Sequence, residues 1–401
     1  MPITLPDAPA PFVLLDDARS MPGARALLYR DPVQEIRATD PADVLPALAA
    51  LDDAAARGLH AAGYLTYEAG YALEPALHDH TRPSPPDGLP LLWFGLFERA
   101  EHFAASRVPE LLPQPATTDF LHHGPDHQQD SHAAMIATVL ALIEAGDIYQ
   151  ANVTIPRTVD GIDDPLAVYA AIRPRAAMGH GALVRHDGHH ILSFSPELFF
   201  TIRDGQIETR PMKGTAARCA DSERDGDAAR ALAADPKQRA ENLMIVDLLR
   251  NDLSRVCVAG SVAVPDLFTV ETYPTVHQMT SRVTGRLAPG LPPSAILQAL
   301  FPCGSVTGTP KIRAMEVIRQ IEPAARGLYT GSIGSIDPDG DARFNVAIRT
   351  LCVEKGRRQG VIGIGSGVVA DSTAAAEWAE CLDKARFLGG QVDMPEHGRG
   401  E

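Results

Sequence analysis

The sequence predicts an α+β fold with largely antiparallel sheets. Short apolar runs are separated by turn residues at hairpin-like spacing, and longer helical patterns are interleaved with them. Neither a GxGxxG turn after a strand nor a Walker-type phosphate loop is present, and there is no internal repeat.

The elements follow in order. Residues 11–30 read as two strands broken by a Pro-Gly turn. Residues 41–57 are Ala/Leu-rich with helical spacing, and Gly58 stops them. Residues 58–73 read as a buried strand and turn, 82–90 as a loop and 91–98 as a strand. Residues 106–130 are polar and proline-rich. His122, His123 and His127 lie close together there without a carboxylate or cysteine framework, so the stretch reads as a solvated linker rather than a metal site. It divides the chain into an N-terminal region (1–115), a linker (116–130), a large second region (131–392) and a polar tail (393–401). Residues 131–145 form a helix, with Ser131 as cap, Met135, Val139 and Leu142 as its apolar stripe, and Gly146 as its end. The runs ANVTIP, GALVRH, HHILSFS, LFFTI and QIETR follow as strands. Helical patterns come next at 226–256, with breaks, and at 310–321. YTGSIGSID, FNVAIRTLCVE and GVIGIGSGVV then read as strands, and 373–388 as a closing helix.

Composition narrows the function. The net charge is -15 with no basic stripe, which excludes a nucleic-acid binder. No apolar run reaches the ~18 residues of a membrane span, and the N-terminus lacks the pattern of a signal peptide. The five cysteines are scattered and form no CxxC pair, which fits reduced thiols in a cytoplasmic protein.

Four segments carry chemistry. In the closing segment, Glu377, Glu380 and Lys384 share one helical face. On an arbitrary helix such a face is an exposed ion-pair surface; here Gly363, Gly365 and Gly367 precede it and let a ligand approach the backbone. In 237–256, Glu241 lies one turn before an apolar stripe of Leu243, Val246, Leu249 and Leu253. Two glutamates from two helices, Glu241 and Glu380, suit magnesium, which takes a few carboxylates plus waters and substrate oxygens. In 301–322, Thr309 is the expected N-cap and Pro310 the first helical residue, after the small residues Gly304, Ser305, Thr307 and Gly308. Such a turn can receive a carboxylate at the helix N-terminus, or it can be an ordinary cap. In 193–218, Glu197 stands at a strand entrance, and Lys213 sits in a Met-Lys-Gly-Thr turn with few charges nearby, a setting in which a lysine can act as a nucleophile.

The segments GDIYQAN, SPELFF, RPMKGT, ENLMIVDLLRNDL, TGTPK, GLYTGSIG, FNVAIRT and GSG…EWAE…K occur in this order over about 131–388. Together they resemble the chorismate-utilising enzymes: anthranilate synthase component I, aminodeoxychorismate synthase component I, and the isochorismate and salicylate synthases. The N-terminal GYLTYEAGYALEP resembles the aminodeoxychorismate type. The resemblance implies two large antiparallel sheets packed as a sandwich, with helices outside. It implies Mg²⁺ held by Glu241 and Glu380, with Glu377 supporting through water; Gln238 replaces a further glutamate common in the family. It implies substrate carboxylates held by Arg349, Tyr329 and Lys384 with the backbone at Gly365 and Gly367, assisted by Thr307, with His277 beside the ring carboxylate. Glu197 is implied as the general acid for the departing C4 hydroxyl.

Two positions separate the members. Isochorismate and salicylate synthases resemble each other in a water-activating lysine where this chain has Gln150, and a glutamine is no base at neutral pH. The PMKGT motif resembles the lysine-bearing PIKGT of aminodeoxychorismate synthases rather than the PIAGT of anthranilate synthases, which remain the alternative. The implied reaction is covalent: Lys213 attacks C2 of chorismate, and ammonia then attacks C4. No cysteine context resembles the nucleophile of a glutamine amidotransferase, so ammonia is expected from a separate component II subunit, and only a short tail follows residue 392. A tryptophan pocket in some relatives carries an LLES motif; here it is LLDD, with Asp17 in the serine's place, and weak or no tryptophan binding is expected.

Overall fold

Strand Phe12–Asp16 shows how the layers are built. Phe12 and Leu14 face one way, into a core beneath helices, and Val13 faces the other, into the layer between two sheets. The computed structural model describes residues 3–392 except 20, 86, 87, 118, 119, 126, 220, 274, 275 and 390, with only the backbone of 391 and 392; the tail expected at 393–401 lies outside the described residues.

The larger sheet has 11 strands. Its order is Gln391–Val392, Leu121–His123, Gln150–Asp160, Gln359–Val368, Thr350–Val353, His189–Ser193, Gly181–His186, Phe12–Asp16, Arg25–Arg30 and Glu101–Ala104, with Gly308–Thr309 attached to Gln150–Asp160. The smaller sheet has 10. It runs Met212–Ala217, Val276–Arg286, Gln206–Arg210, Leu198–Arg203, Ala342–Asn345, Ser332–Ile336, His60–Leu65, Leu92–Phe97 and Gln34–Ala38, with Ala263–Thr272 on Val276–Arg286. Among the described residues the only parallel pair is 391–392 with 121–123.

Val13, Tyr29, Ala182, Val184 and Ile191 of the larger sheet meet Ala62, Tyr64, Trp93, Phe97 and Ile333 of the smaller one, making a sandwich. Helices Gln128–Glu144, Pro165–Ala176, Lys311–Ile321 and Ala374–Ala385 cover the outer face of the larger sheet. Val44–Ala56, Pro236–Ser254 and Pro293–Leu300 cover that of the smaller.

Several local expectations change. The stretch read as a solvated linker contributes the strand Leu121–His123, and His122 is fully buried with Nε2 2.7 Å from the Gly389 carbonyl oxygen. The helix expected from 131 starts at Gln128, after His127 in a left-handed conformation, so Ser131 is not its cap. The pattern at 226–256 is two helices, Ser222–Ala234 and Pro236–Ser254. They break at Asp235, whose carboxylate accepts from the Lys237 and Gln238 amides and so caps the second. Leu243 is 44% exposed, and the buried stripe of that helix runs through Ile245, Val246, Leu248, Leu249 and Leu253 instead. Thr309 is not a cap: it pairs with Gln150 in the larger sheet, and Pro310 occupies the cap position. The N-terminal 115 residues place strands in both sheets, so the expected boundary does not divide the sheets.

Candidate active site

Lys213 lies in the edge strand Met212–Ala217, not in a turn. The strand bulges between Met212 and Thr215, with Gly214 at φ +90. The bulge carries Lys213 Nζ to 3.8 Å from Glu241 Oε2 on helix Pro236–Ser254. A Cβ built on Gly367 would stand 3.1 Å from that same Nζ and 2.8 Å from Gln150 Nε2. Gln150 and Lys213 thus meet at Gly367, and Lys213 joins them to Glu241. Gln150 is fully buried, and neither atom of its amide group has a protein partner. A buried amide without partners is costly unless something else bonds it.

Glu197 precedes strand Leu198–Arg203 and is buried, its Oε1 accepting a 2.6 Å hydrogen bond from the Ser305 hydroxyl. Burial pushes its carboxyl up to about 7, against the opposing pull of the Ser305 hydrogen bond and of the Lys213 and Lys384 ammonium groups. Lys384 donates to the Gly365 carbonyl at 2.8 Å and pairs with Glu380 at 2.7 Å. Burial would raise Glu380, but the Lys384 ammonium prevails and holds it below the usual carboxylate range.

The three glycines of strand Gln359–Val368 serve different ends. A Cβ on Gly363 would lie 2.1 Å from the Tyr329 ring, and one on Gly365 would lie 2.5 Å from the Val153 carbonyl oxygen. Of the three, only Gly367 opens toward Lys213. Tyr329 is buried over Gly363, which raises its phenol well above the usual range. Thr307 is fully buried behind Gln150: its carbonyl accepts from the Asn152 amide at 2.8 Å, and its hydroxyl donates to the Gly304 carbonyl at 3.1 Å. The next residue must be glycine, since φ is +152 and a Cβ would stand 2.2 Å from the Gln150 carbonyl oxygen.

Other expected residues have partners elsewhere. His277 Nδ1 lies 3.0 Å from the Thr272 hydroxyl and Nε2 2.9 Å from Asp225, so both ring nitrogens are engaged by protein. Arg349 donates to Met178 Sδ at 3.6 Å, and burial lowers its pKa. Lys311 is bonded to Asp252 at 2.6 Å and to the Leu300 carbonyl at 3.0 Å, so its ammonium is already paired. Asp17 accepts from Arg19 at 2.6 and 2.8 Å, and the cavity beside it is about 30 Å³.

The carboxylates Glu241, Glu377 and Glu380 come from two helices, Pro236–Ser254 and Ala374–Ala385. They offer the hard oxygen donors that magnesium prefers. Glu377 Oε2 is buried without a partner, as a carboxylate awaiting a ligand would be. They are not gathered into one cluster: among the described residues no group of three or more His, Cys, Asp or Glu side chains converges on a point. Glu241 instead faces Lys213, and Glu380 is bonded to Lys384.

Sequence reasoning missed two participants. Ser305 appeared only as a small turn residue, and its hydroxyl meets Glu197 through a sequence separation of 108. Arg326 gave no signal at all, because its partners include main-chain carbonyls brought close by the fold.

The model of the chorismate binding enzyme family matches residues 11–389. Aminodeoxychorismate synthase component 1 of Klebsiella aerogenes is 41% identical over 265 residues, covering 66% of this chain and 58% of that protein. Anthranilate synthase component 1 of Mycolicibacterium smegmatis is 37% identical over 315 residues, covering 74% of this chain and 60% of that protein. The chain thus spans a little under two thirds of the length of these relatives. The solved anthranilate synthase component I of Streptococcus pneumoniae superposes with a TM-score of 0.77 at 25% identity, covering 96% of this chain and 94% of that one, so the sandwich is the same fold. The chain belongs to the chorismate binding enzyme family.

Proposed function

We propose that the protein is an aminodeoxychorismate synthase component I, converting chorismate and ammonia to 4-amino-4-deoxychorismate for 4-aminobenzoate and folate synthesis. The observation that carries the reading is Lys213: its Nζ lies beside Gly367 and Glu241, next to the buried amide of Gln150 that has no protein partner. Glu197, whose burial pushes its carboxyl up to about 7, is the group suited to give a proton at neutral pH.

In the first step the free amine of Lys213 forms a bond to C2 of chorismate, both ring double bonds shift (C1=C2 to C1=C6 and C5=C6 to C4=C5), and the C4–O bond breaks. Glu197 gives its proton to the departing hydroxyl, which leaves as water. In the second step ammonia bonds to C4, both double bonds shift back, the electron pair of the C2–N bond returns to Lys213, and the surplus proton of the new amine restores the Glu197 carboxyl. Gln150 lines the site without being able to activate water as a base. Glu241, Glu380 and Glu377 would hold Mg²⁺, which when bound neutralises substrate carboxylate charge. Tyr329 and the backbone at Gly365 and Gly367 would hold the substrate, with Lys384, Thr307, Arg349 and His277 joining as they exchange their present partners.

Ammonia would come from a separate glutamine amidotransferase subunit, component II. Burial pushes the thiols of Cys257 and Cys381 up to about 11 and those of Cys303 and Cys352 up to about 12, the opposite of an activated nucleophile. Among the described residues no helix is long and apolar enough to cross a membrane. The five cysteines are all free, which supports a reducing, cytoplasmic setting.

The test is an incubation with chorismate, Mg²⁺ and ammonium, followed by the lyase that releases 4-aminobenzoate. The expected result is 4-aminobenzoate from the wild type and none from Lys213→Ala. Undiminished product from Lys213→Ala would refute the nucleophile assignment. Fluorescent anthranilate formed without the lyase would move the protein to anthranilate synthase.

A further inference from the structure

Arg326 is buried, with its side chain 2% exposed, and all five of its side-chain N–H groups are used. Nε donates to Glu322 Oε2 at 2.8 Å. Nη1 donates to the Val306 carbonyl at 2.9 Å and to the Thr330 hydroxyl at 3.3 Å. Nη2 donates to the Asn152 carbonyl at 2.6 Å and to Glu322 Oε1 at 2.7 Å. Glu322 Oε1 accepts in turn from the Thr154 amide at 2.9 Å and its hydroxyl at 3.1 Å.

The three segments so joined carry residues proposed above to meet the substrate. Val306 precedes Thr307, Thr330 follows Tyr329, and Asn152 lies two residues beyond Gln150. The N-terminal GYLTYEAGY segment supplies the wall of this clamp. The guanidinium lies 4.3 Å over the Tyr67 ring, and the Arg326 amide donates to Glu68 Oε1 at 2.7 Å. Stability alone is a poor reason to keep such a pair, since buried ion pairs are often matched or bettered by apolar residues of similar volume.

We propose that Arg326 is a positioning residue: its guanidinium fixes the mutual spacing of Gln150, Thr307 and Tyr329, Glu322 and Tyr67 hold the guanidinium in place, and Glu68 holds its main-chain amide. The inference rests on the chorismate reading above. A lysine cannot reproduce it, because an ammonium has three donors in no planar fork.

The experiment uses the full chain and compares Arg326→Lys and Glu322→Gln with Arg173→Lys, a control at the buried ion pair with Asp16, which shares no partner with Arg326. Thermal unfolding, dissociation of chorismate by calorimetry, and KM and kcat are measured for each. The expected result is that Arg326→Lys folds and weakens chorismate binding and raises KM by about tenfold or more. Glu322→Gln moves the same way by less, and Arg173→Lys lowers Tm with KM unchanged. Chorismate affinity of Arg326→Lys within twofold of wild type, whatever its Tm, would overturn the inference. Failure of the wild type itself to bind chorismate would instead overturn the functional reading. If Arg326→Lys does not fold, an unchanged affinity in Glu322→Gln overturns the inference and a weakened one supports it.

Discussion

Glu197 is where a single side chain ties the fold to chemistry. An exposed glutamate titrates near 4.3 and could not hold a proton at neutral pH. Burial moves Glu197 to about 7, with Lys213, Lys384, Tyr329 and Cys303 as its charged or titratable neighbours. A general acid must be protonated to work, so kcat/KM is expected to fall as pH rises through about 7. The Ser305 hydrogen bond favours the carboxylate. Ser305→Ala should therefore move that limb to higher pH, and a profile left in place would mean that Ser305 does not tune the acid. The same shift has a stability sign. A carboxyl raised in the folded state binds its proton more tightly there than when unfolded. Glu197 thus disfavours the folded state progressively as pH climbs from about 4.3 to about 7 and by a constant amount above that.

At the scale of elements, strand Gln359–Val368 shows why one motif needs more than one explanation. Its glycines were legible as a place of close approach, but not what approaches each. Gly367→Ala puts a methyl 3.1 Å from Lys213 Nζ and 2.8 Å from Gln150 Nε2, both ends of flexible side chains, and leaves the ring packing at Gly363 alone. It should keep Tm within a few degrees while raising KM for chorismate by about tenfold. Gly363→Ala drives a methyl to 2.1 Å from the Tyr329 ring, so it should cost stability, about 1–3 kcal/mol as overpacking usually does. Thermal unfolding and KM measured on both variants separate the two roles; an equal loss of Tm in both would refute the distinction. The helices were legible for a similar reason. Apolar spacing marks Val44–Ala56 and Ala374–Ala385 locally, with Gly58 as the stop after the first; Thr373 caps the second. The bulge at Lys213, the partners of His277 and the Arg326 clamp were not legible, because each depends on a contact between distant segments.

At the scale of the whole molecule, the proline-rich stretch before residue 131 suggested two regions in series, and the topology interleaves them instead. Strand Phe12–Asp16 pairs with Gly181–His186 in the larger sheet, and His60–Leu65 pairs with Ser332–Ile336 in the smaller. The layer between the sheets draws Val13, Tyr29, Tyr64, Trp93 and Phe97 from the first 115 residues, all with no exposed surface. At about 2 kcal/mol for each large apolar side chain, their burial contributes on the order of 10 kcal/mol, comparable with the whole net stability of a typical protein. Removing them would also leave strand edges at Gly181–His186 and Ser332–Ile336 unpaired. The Tyr67 and Glu68 contacts to Arg326 would go with them. A fragment beginning at residue 116 is therefore expected to be insoluble, or to lack near-ultraviolet dichroism and chorismate binding, even though it retains Lys213, Glu197 and all three expected metal-binding glutamates. Recovery of a soluble fragment that binds chorismate with wild-type affinity would show that the N-terminal strands are an addition to the catalytic sandwich and not part of it.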